Sequence, residues 1–231
     1  MHDAVSGPVR LPFSEKYDRH HAQAYLEKHR DGLARRLSHW RDEQLARTAL
    51  ALAGDPTLVL DLPCGAGRFW PLLAERAGRI IIGADNSAAM LDVALAAHPP
   101  SLVERVRTLR TSAFDIELPD RSVDCIFSMR LAHHIGDATH RVAMLREFHR
   151  VARDTVILSL WVDGNYKAWK RRQLEEKRAQ RGESGVQNRF VLPARTVEQE
   201  FRSSGFRVLG HFDFLPRYAM WRVYVLRRSG T

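Results

Sequence analysis

Residues Leu58–Phe69, LVLDLPCGAGRF, place an acidic residue at the end of an apolar strand and a glycine-rich turn directly after it. Glycine at Gly65 and Gly67 permits backbone angles that other residues avoid, and it lets a ligand approach the main chain closely. A turn with this GxG spacing is also used by dinucleotide-binding enzymes. The stretch therefore predicts a strand, a turn and a helix, with a ligand site at the turn.

Apolar runs alternate with helical stretches on the carboxyl side of this turn, as they do in βαβ units. The run TLVLDL is followed by RIIIGAD, RVRTLRTS, VDCIFSM and TVILSL, which makes five strands by Leu160. Two final runs, FRVLGHFDF and AMWRVYVLRR, are only a few residues apart and must pair as an antiparallel hairpin. We therefore expect an α/β fold with a seven-stranded, mostly parallel sheet, a C-terminal antiparallel hairpin and helices on both faces.

The 231 residues favour one domain with appendages. Residues 1–55 are helix-rich and predict an N-terminal helical cap, whereas residues 56–231 form the α/β domain. A polar segment at about 161–191 carries a dense cluster of Lys and Arg. We interpret it as a basic insertion that fits no strand of the sheet.

Basic residues outnumber acidic ones by 36 to 27, which gives a formal net charge of +9. This charge favours anionic partners such as nucleic acid, phosphorylated metabolites or an acidic membrane surface. A well-solvated, arginine-rich surface is the alternative. Because the sequence has neither a secretory pattern nor an apolar run of about 18 residues, we expect a cytoplasmic protein, with peripheral association with the inner membrane as an option. Its two cysteines indicate reduced, buried thiols.

Two residues distinguish a nucleoside ligand from a dinucleotide. Trp70 stands where a dinucleotide site requires a third small residue, which disfavours a diphosphate. Asp85 ends the second strand 24 residues after Asp61, where a carboxylate can accept both hydroxyl protons of a ribose. The alternative is that Asp61 is an ordinary strand-end carboxylate and the glycines form an ordinary tight turn.

A third polar position follows the third strand. Asp115 can accept a hydrogen bond from an exocyclic amine such as adenine N6. Phe114, Ile116 and Met90 are candidates to sandwich the adenine ring. These residues indicate that the ligand contains adenosine.

The stretches LDLPCGAGRF, GADNSAAML, FDIELPDRSVDCIFSMRLAHHI and HRVAMLREFHRV resemble the successive motifs of class I S-adenosylmethionine-dependent methyltransferases. The resemblance covers about Thr57 to Leu160. Within the superfamily, the chain is most similar to the branch that contains quinone and other small-molecule methyltransferases. It implies a Rossmann-like fold and S-adenosylmethionine as cofactor. Pro63 and Ala66 depart from the usual glycine and threonine, and Pro63 removes one backbone donor from the turn.

The resemblance also implies roles for individual residues. The glycine turn packs against the methionine part of the cofactor, and Asp85 holds the ribose. Asp115 and Ile116 read the adenine, while Arg130 lies near the methionine end. The expected cofactor-binding set is Asp61, Cys64, Gly65, Gly67, Asp85, Asn86, Met90, Phe114, Asp115, Ile116 and Arg130.

Methyl transfer from a sulfonium is an in-line displacement, so correct placement of the acceptor atom can supply much of the catalysis. A base is needed only where the acceptor must lose a proton. His133 and His134, after the fourth strand, are the candidates for this catalytic role. Alternatively, either histidine only hydrogen-bonds the main chain. We expect no metal site, because the pair lacks a third and fourth ligand.

Candidate acceptor contacts come from two segments. The amino-terminal stretch FSEKYDRHHAQAY covers the donor pocket in similar enzymes, although its aromatic residues could equally pack a helix onto the domain. The basic segment could bind a phosphate-bearing acceptor, a lipid headgroup or single-stranded RNA, or it could be a solvated helix with ion pairs. The candidate residues are Tyr17, His21, Tyr25, Tyr166, Lys170 and Arg171.

The leading interpretation is an enzyme that methylates a small-molecule or lipid-linked acceptor, with anionic groups such as those of envelope glycolipids. An RNA methyltransferase is the alternative that the basic pI favours. The stretch after strand four does not support an RNA methyltransferase, because SMRLAHH stands where a catalytic Asn/Asp-Pro-Pro-aromatic motif would be expected. From a different class, the chain could be a regulatory or scaffold protein that binds the cofactor with little or no turnover.

Overall fold

The computed structural model describes residues 33–182 and 188–230, with side chains from residue 36 onward. The candidate acceptor contacts at the amino terminus lie outside the described residues. The described strands form one sheet: β1 (Leu58–Asp61), β2 (Ile80–Asp85), β3 (Val106–Arg110), β4 (Val123–Ser128), β5 (Ala152–Val162), β6 (Val191–Leu192), β7 (Phe206–Asp213) and β8 (Trp221–Arg228).

The strand order is β3-β2-β1-β4-β5-β8-β7, and the two-residue β6 pairs with β5. Strands β1 to β5 run parallel to one another, whereas β8 is antiparallel to both β5 and β7. This confirms the predicted seven-stranded, mostly parallel sheet with a C-terminal hairpin. Strand β6 is an addition that the sequence analysis did not predict.

Helices cover both faces of this sheet. Several begin at a polar side chain that caps their first backbone donors; for example, Asn165 Oδ1 accepts from Ala168 N at 2.9 Å. The described helices are α1 (Leu33–Leu52), α2 (Trp70–Leu73), α3 (Ala88–Ala97), α4 (Pro100–Val103), α5 (Ala138–Val151), α6 (Tyr166–Gln180) and α7 (Ala194–Ser203), with a short 3₁₀ turn at Ala132–His134.

Two hydrophobic cores lie on opposite faces of the sheet, because successive side chains of a strand point to opposite sides. In β1, Leu60 belongs to the core under α5 and α7, whereas Val59 belongs to the core under α1, α2 and α3. Strand β4 divides in the same way, with Ile126 on the first face and Cys125 on the second. The predicted reduced, buried state of both cysteines is confirmed.

Helix α1 is the described part of the predicted N-terminal cap, and it is a layer of the domain itself. Leu45, Ala46 and Ala49 are at most 4% exposed and share a core with the central strands. Arg41 Nε donates to Phe214 O at 2.9 Å, which attaches the helix to the end of the β7–β8 hairpin. The helix therefore holds the hairpin against the parallel strands.

The basic segment differs from its prediction at both ends. Trp161 and Val162 belong to β5 and pair with Val191 and Leu192 of β6, so part of the predicted insertion does join the sheet. The reason is burial: Trp161 and Leu192 are each only 7% exposed. Between these paired ends lies the polar helix α6, whose side chains are mostly exposed.

A buried ion pair fixes the turn that follows β4. Arg141 on α5 donates to both carboxylate oxygens of Glu200 on α7, at 2.9 and 2.5 Å. Its remaining nitrogen donates to the carbonyl oxygens of Ile135 and Gly136 at 3.0 and 2.7 Å. Because the two charged side chains are only 6% and 10% exposed, removal of one leaves the other charge buried without a partner.

We therefore expect Glu200→Ala to lower the free energy of unfolding by about 3 to 5 kcal/mol, because Arg141 would stay buried and uncompensated. Urea unfolding measures the change. Glu104→Ala is the matched control, since Glu104 is exposed and we expect a change within about 0.5 kcal/mol. Equal stability of the two variants would show that the pair does not fix this turn.

Candidate functional site

The glycine-rich turn between β1 and α2 lies at the carboxyl edge of the sheet. Gly65 and Gly67 have φ angles of 55° and 69°, a region that residues with a Cβ rarely occupy. A Cβ on Gly67 would also lie 2.7 Å from the ring of Trp70. The buried Cys64 ties the turn to the next strand, because its N–H donates to Ala84 O at 2.8 Å. The turn is thus held tightly against Trp70 and the end of β2.

Trp70 fills the space beneath this turn. It is fully buried, and its ring lies so close to Gly83 that a Cβ there would be 2.5 Å away. His98 stacks obliquely on the indole with the ring centroids 5.4 Å apart. Pro63 follows a cis peptide bond and has no N–H to donate. The bulky indole at this position agrees with the expectation that a dinucleotide is disfavoured.

Two acidic side chains lie at the ends of neighbouring strands. Asp61 is 1% exposed. Burial and the nearby charge of Asp85 raise its pKa well above the usual range, against the opposing effect of the Trp70 indole N–H. Asp85 accepts from the N–H groups of Gly65 and Ser87 at 3.1 and 3.0 Å, although burial still raises its pKa. Asn86, next in the chain, is exposed. A cationic ligand would stabilise this buried negative charge.

The residues expected around an adenine lie beside these carboxylates. Met90 is 3% exposed, and its terminal methyl lies 3.6 Å from the place where Gly65 would carry a Cβ. Ile116 is buried and Phe114 is half-buried. Asp115 has an exposed side chain, which keeps its carboxylate accessible to a ligand from solvent. Met90 is thus in contact with the turn, and residues 114–116 follow β3, the strand next to β2.

Arg130 belongs to an ion network that the sequence analysis missed. Its guanidinium donates to Asp42 of α1 and stacks over the Trp221 ring at 5.0 Å. Arg68, just after the glycine turn, donates to the same carboxylate at 2.7 Å and to His39 at 3.1 Å. The partners are 88 and 26 residues apart, so no local pattern could have indicated them. The network joins α1 to the edge where β1 and β4 end.

The two candidate catalytic histidines have different surroundings. His133 is 3% exposed, stacks on Trp161 at 5.0 Å and meets Trp221 edge-on at 4.7 Å. Burial and neighbouring positive groups lower its pKa to about 2. His134 Nδ1 lies 2.5 Å from Asn188 O, which places the proton on Nδ1 and the lone pair on Nε2. Of the pair, His134 has the geometry of a proton acceptor.

The three candidates on α6 do not form one cluster. Tyr166 is 48% exposed and stacks on Tyr218 at 5.6 Å, and Lys170 is also exposed. Arg171 instead lies over the Trp161 ring at 5.1 Å, close to the histidines. The helix thus presents one basic residue to the strand ends and others to solvent.

Within the described ranges, no helix is long and apolar enough to cross a bilayer. Nor do those ranges contain three or more His, Cys, Asp or Glu side chains grouped to hold a metal ion.

Residues 59–155 match the family model described as a methyltransferase domain. Among solved structures, the magnesium protoporphyrin IX methyltransferase of Synechocystis PCC 6803 with bound SAH aligns with a TM-score of 0.72 and 15% identity, over 94% of this chain and 98% of that one. A candidate sarcosine dimethylglycine methyltransferase from Galdieria sulphuraria aligns with a TM-score of 0.63 and 16% identity. The alignment covers 82% of this chain and 86% of that one.

A third similar structure is a candidate methyltransferase in a Haloferax volcanii complex with the Trm112 methyltransferase activator. It has a TM-score of 0.62 and 16% identity, and the alignment covers 96% of this chain and all of that one. No curated protein matches the sequence. The family match spans β1 to the start of β5, which includes the glycine turn, both strand-end carboxylates and the candidate histidines.

Because the pKa of His133 is lowered in the folded protein, the free energy of unfolding should depend on pH. The unfolded chain takes up a proton there near pH 6.5, whereas the folded protein does so only near pH 2. The unfolded state therefore binds more protons below pH 6.5, and the free energy of unfolding decreases as the pH falls. His133→Phe keeps a stacking ring without the titrating group. Between pH 5.5 and 4 we expect the free energy of unfolding of wild type to fall by about 1 kcal/mol per pH unit more than that of this variant. Urea unfolding measures it, and an equal dependence on pH in the two proteins would contradict the prediction.

Proposed function

We propose that this chain is a class I S-adenosylmethionine-dependent methyltransferase and that it methylates a small-molecule or lipid-linked acceptor that carries negative charge. The observation that carries the donor half of this proposal is the pair of buried carboxylates beside a glycine turn. The acceptor half is supported by the basic residues around the same edge of the sheet.

The donor site fits S-adenosylmethionine on electrostatic grounds. When bound, the cofactor supplies a sulfonium methyl group for in-line displacement by the acceptor. Its sulfonium and ammonium groups are positive, and the carboxylate of Asp61 is buried at the end of β1. Each oxygen of Asp85 already accepts one backbone hydrogen bond and retains a lone pair for a ribose hydroxyl. A diphosphate would instead place negative charge beside two carboxylates.

We assign the remaining contacts by position. Met90, Phe114 and Ile116 would enclose the adenine, with Asp115 accepting from its amino group. Arg130 would bind the methionine carboxylate from its place beside the turn. The remaining members of the expected set, Cys64, Gly65, Gly67 and Asn86, line the turn and the end of β2.

The acceptor atom attacks the methyl carbon as the carbon–sulfur bond breaks, so the electron pair of that bond stays on sulfur. Where the acceptor is a hydroxyl, its proton must leave. We propose His134 ahead of His133 as the proton acceptor, because a main-chain carbonyl orients its ring. Burial lowers the pKa of both histidines, but Arg130 and Arg171 lower that of His133 further. Placement of the acceptor supplies the rest of the rate.

For the donor site, we expect Asp85→Ala to weaken binding of S-adenosylhomocysteine at least tenfold, because the ribose hydroxyls lose their acceptor. Calorimetric titration measures the dissociation constant, and circular dichroism checks the fold. Asp154→Ala is the matched control, since it removes one carboxylate from the opposite edge of the sheet, where it pairs with Arg227. Unchanged affinity in Asp85→Ala would refute the donor site.

A lipid-linked acceptor would bring the protein to an anionic membrane, and α6 has a surface suited to this. Tyr166, Trp169 and Tyr218 are 46% to 57% exposed, and Tyr166 stacks between the other two rings. With four basic residues they form what we call the aromatic-basic surface, around an open cleft between α6 and the loop before β8. Exposed Trp and Tyr beside Lys and Arg are typical of membrane-interface contacts. Its basic members are Lys167, Lys170, Arg172 and Arg217.

We expect the triple variant Lys167→Gln, Lys170→Gln, Arg172→Gln to bind phosphatidylglycerol-containing vesicles about a hundredfold more weakly than wild type at low salt, because each basic residue near an anionic surface contributes about 1 kcal/mol. Sedimentation with vesicles measures the bound fraction. The control removes three exposed charges elsewhere, at Arg195, Arg202 and Arg207. Polyuridylate, a single-stranded RNA, is the second probe. Equal vesicle binding by both variants would contradict the membrane contact. If the triple variant loses binding to polyuridylate but not to vesicles, the result would favour RNA.

A further inference from the structure

The open cleft at the centre of the aromatic-basic surface has a volume of about 540 Å³. Binding sites for small molecules commonly span about 300 to 1,000 Å³. Its lining residues come from the start of α6, from the two residues before that helix and from Arg217 in the loop before β8. Gly164 follows the last residue of β5 by two positions, so the cleft lies at the carboxyl edge of the sheet.

Main-chain hydrogen bonds hold the two sides of this cleft together. The N–H of Tyr166 donates to the carbonyl oxygen of Arg217 at 2.9 Å, and the N–H of Lys167 donates to that of Tyr218 at 3.0 Å. These bonds also satisfy two donors at the start of α6, which would otherwise have no partner within the helix. The guanidinium groups of Arg172 and Arg217 take no part in this attachment, so they are not needed to shape the cleft.

Two guanidinium groups line the cleft without a counter-charge in the described part of the chain. Arg172 on α6 and Arg217 in the loop are both exposed. None of the described lining residues is acidic, and neither arginine forms a salt bridge with a described acid. Glu176, one turn further along α6, is exposed and does not line the cleft. Two cations on one concave surface attract an anion more strongly than scattered charges do.

The side chains of the cleft indicate which kind of anion it suits. A guanidinium group presents paired N–H donors that match the oxygens of a phosphate, and one phosphate has enough oxygens for two such groups. Trp169 and Tyr166 place exposed rings on the same cleft, with their centroids 5.9 Å apart. Rings of this kind offer apolar surface to the organic part of a ligand. The cleft therefore suits a phosphate ester better than an inorganic ion.

The backbone of the loop is unusual at Arg217. Its φ angle is 60°, in the left-handed region that residues with a Cβ rarely adopt. Glycine or asparagine would occupy this position with less strain. The loop instead carries a long cationic side chain there, and backbone outliers of this kind are concentrated at functional sites.

We propose that this cleft binds a phosphate group of the methyl acceptor between Arg172 and Arg217, with the organic part of the ester against Trp169. The inference rests on the proposed function and deepens it, since it makes the acceptor a phosphate ester and assigns its site. In the sheet order β1-β4-β5, the strand beside the cleft is two strands from β1. At the usual strand spacing this is about 10 Å, so the acceptor must extend at least about that far from its phosphate to reach the donor.

The experiment titrates the full chain by calorimetry with phenyl phosphate and, separately, with dihexanoyl phosphatidylglycerol below the concentration at which it forms micelles. The salt concentration is about 0.15 M, where the Debye length is about 8 Å. We expect at least one probe to bind at a saturable site. Arg172→Gln and Arg217→Asn should each weaken that binding about tenfold, because each removes a charge-assisted pair of hydrogen bonds. Asparagine suits the left-handed backbone of residue 217, and circular dichroism checks the fold.

The matched control is Arg178→Gln, which removes an exposed arginine from the same helix. Residue 178 lies about 9 Å further along the helix axis than Arg172, beyond the Debye length. We expect this variant to bind the probe within about twofold of wild type, because its charge is screened from the cleft.

The two probes distinguish the source of the phosphate, since tighter binding of phenyl phosphate indicates a free ester and tighter binding of the phospholipid indicates a lipid headgroup. The phosphate site is refuted if neither probe binds, if either cleft variant binds both probes as wild type does, or if Arg178→Gln weakens binding as much as the cleft variants.

Titration of wild type with S-adenosylhomocysteine separates this inference from the proposed function. If that ligand binds while the phosphate site is refuted, the donor site stands. If a probe binds through Arg172 and Arg217 but S-adenosylhomocysteine does not bind, the phosphate site stands and the proposed function fails.

Discussion

The carboxylates of Asp61 and Asp85, buried at the ends of neighbouring parallel strands, set the constraint on which the site depends. Both are at most 5% exposed, and Asp85 is held by the backbone N–H groups of Gly65 and Ser87. Such an arrangement is unfavourable in isolation, because burial penalises the charged form of each group. A nucleoside with a positive substituent removes that penalty, whereas a diphosphate increases it. The glycine turn, Trp70 and the apolar wall at Met90 all serve to keep this edge dry and shaped.

The sequence predicts the fold correctly where the structure depends on residues close in sequence. The strand-turn-helix unit, the five parallel strands and the final hairpin all follow from apolar runs and turn residues, and the structure confirms them. The reading was less successful at the basic segment, because Trp161 is apolar yet was grouped with the polar residues after it. Its place in β5 depends on pairing with β6 and β8, which lie 30 and 60 residues further on.

The interactions that sequence reasoning missed all join distant segments. Asp42 of α1 binds one arginine after β1 and another after β4, and Arg141 joins α5 to α7. Charged residues are common in every helix, so nothing local marks those that become buried and paired. The same is true of Trp221 and Arg189, which only the folded sheet brings beside His133. The proposed acceptor contacts are therefore the part of the function least accessible from sequence, since they would be built from long-range contacts of this kind.

The most direct test of the account is calorimetric titration of the full chain with S-adenosylhomocysteine in two buffers of different ionisation enthalpy. Burial raises the pKa of Asp61, so a ligand ammonium that stabilises its charged form should release protons on binding. The account predicts one saturable site with proton release, and a smaller release in Asp61→Asn. Absence of binding, or binding with the same proton release in Asp61→Asn, would contradict it.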